Sequence, residues 1–188
     1  MVFAYFLLGQ DNNSFFLDSK NLLAPTCSKC GYLYDLINYF NPSFKLKRRT
    51  NDISYTYDGR CIVSLRFKEF CKREGYVGLT FKVFEREPNF YLFQVDNELS
   101  FDSAVSKTEF LEYCEECNNY KEIIGFSPGH LRSIGNRLSD GFYRTDLLFG
   151  SGNSKHPLII VAPETKIKFE REKLQGGYLE PIEMSSNS

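Results

Sequence analysis

The residues of this 188-residue sequence best suited to chemistry are its six cysteines, four of which form two CxxC pairs. This spacing lets both sulfurs of one tight turn reach a single metal ion, while backbone N–H groups donate hydrogen bonds to the thiolates. Two such turns complete a tetrahedral site. We therefore predict one structural Zn²⁺ per chain, bound by Cys27, Cys30, Cys114 and Cys117.

The residue after each CxxC pair supports this prediction. Gly31 follows the first pair, and glycine adopts a positive φ without steric cost. Asn118 follows the second pair, and asparagine is the next-best residue for a left-handed conformation. Both turns therefore have residues that suit a metal-binding knuckle.

The two pairs are separated by residues 31–113, which are 83 residues, against about 15–20 in a compact zinc ribbon. Loop-closure entropy rises only logarithmically with length, so a long insertion is tolerable. We expect a zinc module formed by about residues 21–40 and 106–125, with the body of the fold inserted in it. Two separate redox or disulfide pairs, or unrelated buried cysteines, are the alternatives. Four thiolates leave no open coordination position, so the metal is expected to be structural.

Other reactive residue types lack a recognisable motif. Cys61 and Cys71 are interpreted as buried inert thiols, and His130 and His156 as loop histidines with satisfied hydrogen bonds. The glycines of residues 149–153 fit neither a dinucleotide fingerprint nor a Walker motif, so we interpret this segment as a mobile or interaction-bearing loop. We expect no enzyme activity.

The charge balance gives little support for binding to a polyanion. Formal net charge is −1, with 23 basic and 24 acidic residues. The basic cluster at 45–49 is interpreted as a solvated loop, with contact to phosphate or an acidic protein as the alternative. Four glutamates make the second knuckle acidic, which disfavours nucleic-acid binding there. They are Glu109, Glu112, Glu115 and Glu116.

Periodicity and turn residues predict the elements that position the cysteines. We expect strands at 2–8, 14–18, 52–57, 79–85, 90–96 and 157–162, and helices at 31–39, 64–74, 107–113 and 164–173. The first two strands should form one hairpin, and the strands at 79–85 and 90–96 another. Ser106 and Glu109 resemble a capping box for the third helix. Residues 126–140 combine helical signals with Pro128 and nearby glycines, so they give mixed signals. The tail at 185–188 is expected to be disordered.

A weak internal repeat appears when residues 62–85 are aligned with 160–183, where seven of 24 positions coincide. The shared pattern predicts a duplicated β-α-β element, with chance similarity as the alternative. The predicted fold class is α+β, with mixed sheets and short helices in a single domain over 1–188.

The apolar N-terminal segment, residues 1–8, lacks a basic flank and is too short to span a membrane. We interpret it as a buried strand and expect a cytoplasmic protein without membrane association. In that compartment, closely spaced cysteines more often bind metal than form disulfides.

The long-separated knuckles resemble the double-CXXCG family of bacterial immunity proteins, known from myxobacterial toxin–immunity pairs and related polymorphic-toxin loci. Asn118 stands where the second motif of that family has glycine. The similarity extends over about residues 20–183. Its further segments are 62–67, 78–81, 142–146, 159–161, 174–176 and 181–182.

What the resemblance implies is a zinc-stabilised antitoxin that binds and neutralises a cognate protein toxin by occlusion. The family motif supplies metal ligands and no catalytic residues. Two other functions are left open by the residues themselves. One is a zinc-ribbon nucleic-acid-binding protein that uses the 45–49 loop, and the other is an enzyme without a recognisable signature.

Overall fold

The computed structural model describes residues 2–17, 24–49, 51–132 and 138–185. These residues form two β-sheets and two short α-helices, which confirms the predicted α+β class. The helices are α1 (Leu65–Arg73) and α2 (Pro163–Glu172). The strands are β1 (Val2–Gly9), β2 (Ile53–Tyr55), β3 (Cys61–Ser64), β4 (Leu79–Phe84), β5 (Glu87–Val95), β6 (Glu98–Leu99), β7 (Glu109–Cys114), β8 (Asn119–Ile124), β9 (Gly129–Leu131), β10 (Phe142–Ser151), β11 (His156–Val161) and β12 (Gly177–Met184).

The larger sheet is built around β1. Its strand order is β7-β8-β10-β11-β1-β12-β9, and β6 pairs in parallel with β10. β1 is antiparallel to both neighbours, with Phe6 opposite Ile160 and Leu7 opposite Leu179. Phe6 and Leu7 point to opposite faces, and both are buried in separate clusters. The apolar first strand is therefore covered on both sides.

The two predicted β-α-β segments adopt the same arrangement. In the smaller sheet, of order β2-β3-β5-β4, the antiparallel strand β5 lies between β3 and β4. In the larger sheet, β1 lies in the same way between β11 and β12. β2 flanks β3 as β10 flanks β11. The two units differ in where the middle strand comes from in the sequence. In the first unit β5 follows β4 directly, whereas in the second unit the middle strand is β1, from the N-terminal segment.

The two units share one core. Three aromatic side chains meet edge to face at its centre: Phe67 of α1, Phe93 of β5 and Phe142 of β10, with ring centroids 5.1–5.7 Å apart. Such pairs contribute about 0.5–1.5 kcal/mol each beyond the burial of their area. The helices also meet, because Arg73 forms a 2.6 Å ion pair with Glu172.

Two predicted helices are wrong. Residues 34–38 form turns rather than part of a helix over 31–39. Residues 109–114 form β7, so the helix at 107–113 is not present. The Ser106 hydroxyl does not cap a helix; it accepts the backbone N–H of His130 over 3.0 Å. The predicted helices at 64–74 and 164–173 are confirmed as α1 and α2.

The predicted hairpin between strands 2–8 and 14–18 is also wrong over the described residues, since residues 14–17 form no strand. The carboxylate of Asp58 instead accepts the N–H groups of Phe16 and Leu17, over 2.8 and 2.7 Å. Their backbone donors are thus satisfied without a partner strand. The other predicted hairpin is confirmed as β4–β5.

Some predictions fall partly on residues outside the described ranges. In the segment with mixed signals, 126–140, β9 is described and residues 133–137 are not. Of the tail at 185–188, only Ser185 is described, and its N–H donates to the carbonyl of Leu131 over 2.9 Å. The two helices described have nine and ten residues, and neither has the length and apolar character needed to cross a bilayer.

Candidate metal centre

The first CxxC pair lies in a tight turn. Thr26 and Leu33 form an isolated antiparallel bridge at the base of this turn. The N–H of Cys27 donates to the carbonyl of Tyr32, and the N–H of Gly31 donates to that of Cys27, each over 2.8 Å. Gly31 has φ +73°, as its position after the second cysteine predicted. The turn therefore presents Cys27 and Cys30 on the same side.

The second CxxC pair lies at the tip of the β7–β8 hairpin. Cys114 ends β7 opposite Asn119, the first residue of β8. Asn118 has φ +53°, which confirms the second left-handed position, and its Oδ1 accepts the hydroxyl of Tyr113 over 2.9 Å. The same turn geometry is thus produced on a hairpin rather than after a helix.

All four predicted sulfurs meet, and their Sγ atoms lie within 4.8 Å of one another. The Sγ atoms of Cys27 and Cys114 are 3.9 Å apart, and those of Cys30 and Cys117 are 3.6 Å apart. A tetrahedron with Zn–S bonds of about 2.3 Å requires S···S separations of about 3.8 Å. None of the six cysteines forms a disulfide. The cluster therefore fits a metal ion of that size and excludes two separate disulfides.

The electrostatics of the cluster favour a bound cation. Backbone N–H groups of Cys117 and Glu116 lower the pKa of Cys114 to about 7. Burial and the adjacent sulfurs raise the pKa of Cys117 to about 12. Without a cation, close thiolates repel one another, which disfavours the ionisation of neighbouring sulfurs at the same time. A divalent ion is the group that would let all four ionise together.

Hydrogen bonds tie the two knuckles to each other and to the body of the fold. The Ser28 hydroxyl donates to Oε1 of Glu116 over 2.6 Å. Oδ1 of Asn153 accepts the N–H of Leu33 over 2.7 Å, and its Nδ2 donates to the carbonyl of Gly31 over 3.0 Å. β10, which leads to Asn153, also pairs with β8. The segment at 149–153, interpreted as a mobile or interaction-bearing loop, therefore braces both knuckles.

Sequence reasoning missed a buried cation beside the cluster. Lys155 is 1% exposed, its Nζ donates to the carbonyl of Tyr120, and it lies 4.4 Å from the ring centroid of Tyr32. Burial lowers its pKa, whereas the nearby sulfurs of Cys117 and Cys30 act in the opposite direction. A divalent ion with four thiolates carries a net charge of −2. With such an ion bound, Lys155 would compensate part of this charge from the protein side.

The two remaining cysteines lie away from the cluster. Cys61 and Cys71 are buried in the core shared by the two units. Burial raises the pKa of Cys61 to about 12 and that of Cys71 well above its usual range. Both are therefore protonated and inert at neutral pH, in agreement with the sequence prediction.

The basic cluster at 45–49 is only partly a solvated loop. Phe44 and Leu46 are buried in a small core beneath it. Arg49 donates from Nε to Glu87 over 2.8 Å, and the opposite carboxylate oxygen accepts the N–H of Leu46. Lys45, Lys47 and Arg48 remain exposed.

The two histidines have hydrogen-bond partners, but both lie in strands rather than loops. Nδ1 of His130 lies 3.3 Å from the hydroxyl of Ser106, and Nε2 lies 3.9 Å from Glu183. This order of serine, imidazole and carboxylate has the composition of a catalytic triad. Ser106 is only 4% exposed, and its oxygen holds a backbone N–H, so the arrangement serves the fold. His156 lies in β11, where Nδ1 is 3.0 Å from the carbonyl of Ser154.

No family model matches the sequence, and no curated protein matches it.

Proposed function

We propose that this protein is a zinc-stabilised immunity protein that binds a cognate bacterial toxin and neutralises it by occlusion. One observation carries the proposal: the β7–β8 hairpin, residues 109–124, combines exposed apolar side chains with strong negative charge and is fastened by the four-cysteine cluster. We call this segment the acidic hairpin.

The acidic hairpin exposes more apolar surface than a strand pair normally leaves uncovered. β7 is an edge strand of the larger sheet, and all of its residues except Cys114 are exposed. Five large side chains of the hairpin are between 36% and 52% exposed. They are Phe110, Leu111, Tyr113, Tyr120 and Ile124. Clustered exposed aromatic residues are typical of protein-binding surfaces, where Tyr and Phe act as anchors.

The charge of the acidic hairpin indicates the kind of protein that it would bind. Five glutamates and one lysine give it a formal charge of −4, whereas the whole chain carries −1. Glu112 is paired with Lys121 over 2.8 Å, and Glu116 and Glu122 accept serine hydroxyl groups. Glu109 and Glu115 are exposed and face a partner most directly. A partner with a basic surface would be steered to this region and held in register. We therefore propose a toxin with a basic face around its active site.

Zinc has a defined role in this proposal. β8 pairs with β10 at two positions, Ile123 with Gly150 and Glu122 with Ser151, and the cluster joins the tip of the hairpin to the 27–31 turn. A bound ion would hold the hairpin in one orientation, which lowers the ordering cost of binding. We propose Zn²⁺ as the ion because four thiolates in tetrahedral arrangement are its usual structural site.

Two measurements test the proposal. Metal analysis of purified protein should find one zinc per chain. The protein should also co-purify with the toxin encoded by the adjacent gene and should protect cells that express that toxin. Failure to bind the toxin and failure to protect would reject the immunity function, whatever the zinc content.

A further inference from the structure

A cavity of about 50 Å³ lies where the smaller sheet meets the larger one. One wall comes from β2, β3 and β5, and the other from β10 and β11. Its apolar lining includes Leu92, Val95 and Ile159, and its polar lining includes Arg60, Arg144 and His156. Neither the metal centre nor the acidic hairpin forms any part of it.

Arg60 is the unusual residue of this cavity. It is only 7% exposed, and its Nε has no hydrogen-bond partner among the described residues. Its two terminal nitrogens donate to the carbonyls of Lys155 and Leu36 over 3.3 and 3.4 Å, which are long bonds. A buried guanidinium with an unsatisfied donor is unfavourable unless an anion or another acceptor lies beside it.

The nearby carboxylates leave the Nε donor without an acceptor. Asp58 offsets part of the charge of Arg60 electrostatically, but its two oxygens accept the N–H groups of Phe16 and Leu17. Glu98 pairs with Arg144 over 2.7 Å and is half exposed, so it neutralises Arg144 from the solvent side. Within the described residues, the cavity lining contains two guanidinium groups and no carboxylate.

His156 is held in one orientation beside these cations. Its Nδ1 lies 3.0 Å from the carbonyl of Ser154 and therefore carries the proton, which leaves Nε2 as an acceptor in the neutral ring. Gly59, with φ +77°, packs against the ring so closely that an added Cβ would lie 1.9 Å from Nδ1. Burial and the positive charge of Arg60 lower the pKa of His156.

We propose that this cavity binds a small aliphatic monocarboxylate. Its carboxylate would accept from Nε of Arg60 and be drawn towards Arg144, and its short alkyl part would contact Leu92, Val95 and Ile159. Arginine pairs with carboxylates through directional, charge-assisted hydrogen bonds. A water molecule would satisfy the Nε donor, but it would add no negative charge beside the two guanidinium groups of the lining.

The volume limits the size of the acid. A cavity of about 150 Å³ accommodates benzene, so one of about 50 Å³ admits only the smallest acids, and acetate should fit better than propionate. Entry is available from an outer depression that shares Ile37, Gln94 and Arg144 with the cavity. Nε2 of Gln94 donates to the carbonyl of Ile37 over 2.6 Å, and both residues line the cavity as well as the depression. Asp35 and Asp96 line only the outer depression.

The two histidines make a direct test possible by NMR of the imidazole side chains. Sodium acetate and sodium propionate are titrated into the zinc-loaded protein, with sodium gluconate as a carboxylate too large to enter. The His156 signals should shift saturably with acetate and propionate and stay unchanged with gluconate. His130 lies in β9 and does not line the cavity, so it is the internal control and its signals should not shift. Equal shifts with gluconate, parallel shifts of both histidines, or no response would overturn the proposal.

Two substitutions test whether the acid binds at Arg60 and Arg144. Arg60→Met should abolish the saturable shift, and Arg144→Gln should weaken binding about tenfold or more. Arg48→Gln, at an exposed arginine, should have no effect. The amide spectrum of each variant reports whether it is folded. If Arg60→Met does not fold, Arg144→Gln and the gluconate comparison in the unmodified protein decide the question. A saturable response that persists in a folded Arg60→Met variant would disprove the site.

Discussion

The side chain of Asn153 donates from Nδ2 to the carbonyl oxygen of Gly31 over 3.0 Å, although 122 residues separate them in sequence. The same side chain accepts the N–H of Leu33. One amide therefore fixes both ends of the segment that follows Cys30. The 27–31 turn owes its shape to a residue far outside it as well as to its own hydrogen bonds.

Asn153→Ala should lower zinc affinity by about tenfold to a hundredfold, because it removes both braces of the first knuckle without touching a sulfur. The affinity is measured by competition with a chromogenic chelator. Asn38→Ala provides a matched control, since the Asn38 amide is exposed and contacts only the Asp35 carboxylate within the described residues. Equal affinities for both variants would show that the brace does not support the metal site.

Bound zinc should protect the four cluster thiols from alkylation, whereas Cys61 and Cys71 should be unreactive because they are buried. Cys30→Ser should lose the metal, whereas Cys71→Ala should retain it at the cost of a core cavity. Alkylation followed by mass spectrometry should modify the four cluster cysteines only after a chelator is added. Cys61, whose pKa burial raises to about 12, should react only on unfolding. Rapid modification of the cluster cysteines in the metal-loaded protein would contradict thiolate ligation.

Two glycine substitutions separate backbone strain from steric overlap. Gly31 has φ +73° and open space around its Cα, so Gly31→Ala should cost about 1–2 kcal/mol from the left-handed backbone alone. Gly59→Ala has the same type of backbone and also collides with His156. It should therefore cost a further 1–3 kcal/mol or so. Denaturant unfolding measures both free energies. Equal costs would mean that His156 moves away freely.

Glu87 should make stability depend on pH in the acid range. The hydrogen bonds from Arg49 and from the backbone of Leu46 lower its pKa below the ordinary 4.5. Its contribution is therefore complete above about pH 4.5 and is lost as the pH falls through the lower, folded-state pKa. Glu87→Gln should be less stable than the unmodified protein at pH 7, and this difference should shrink below pH 4.5. Glu69→Gln, at an exposed carboxylate, is the control.

The acidic hairpin is tested by comparing two exposed tyrosines. Tyr113→Ala lies in the hairpin and Tyr178→Ala lies in β12, and both side chains are more than half exposed. Tyr178→Ala should alter the free energy of unfolding by less than about 0.5 kcal/mol, whereas Tyr113→Ala also removes the hydrogen bond to Asn118 and should cost about 1 kcal/mol. Only Tyr113→Ala should weaken toxin binding, by tenfold or more if Tyr113 is an anchor. Calorimetry with the purified toxin distinguishes the two. Equal binding would place the interface elsewhere without rejecting the immunity function.

The features that were predicted correctly from sequence depend on local chemistry. The left-handed backbone at Gly31 and Asn118 follows from residue type and position after a CxxC pair. The β4–β5 hairpin follows from the alternation within each strand, although its turn lies at residues 85–86 and Pro88 and Asn89, which were expected to form the turn, belong to β5. In each case the signal and the structure lie within a few residues of each other.

The wrong predictions share the opposite property. Ser106 and Glu109 have the spacing of a capping box, but the serine hydroxyl is used by His130 and the segment pairs with β8. Tyr32, Leu33 and Leu36 are spaced as if on one face of a helix, which led to the predicted helix at 31–39. In the structure they are buried together with cysteines of the cluster instead. Asn153 and Lys155 were missed because their partners lie far away in sequence. The glycines around Asn153 were a signal that this segment is special, though not of what it contacts.

The second unit takes its middle strand, β1, from the start of the described chain, and this has a consequence for synthesis on the ribosome. The first unit, β2 to β5, is contiguous, so it can acquire its sheet as soon as it emerges. β1 leaves the ribosome before that unit but pairs with β11 and β12, the last strands in order along the described chain. During translation this apolar strand has no partner on either edge. Chaperone binding to its first residues would fill that interval.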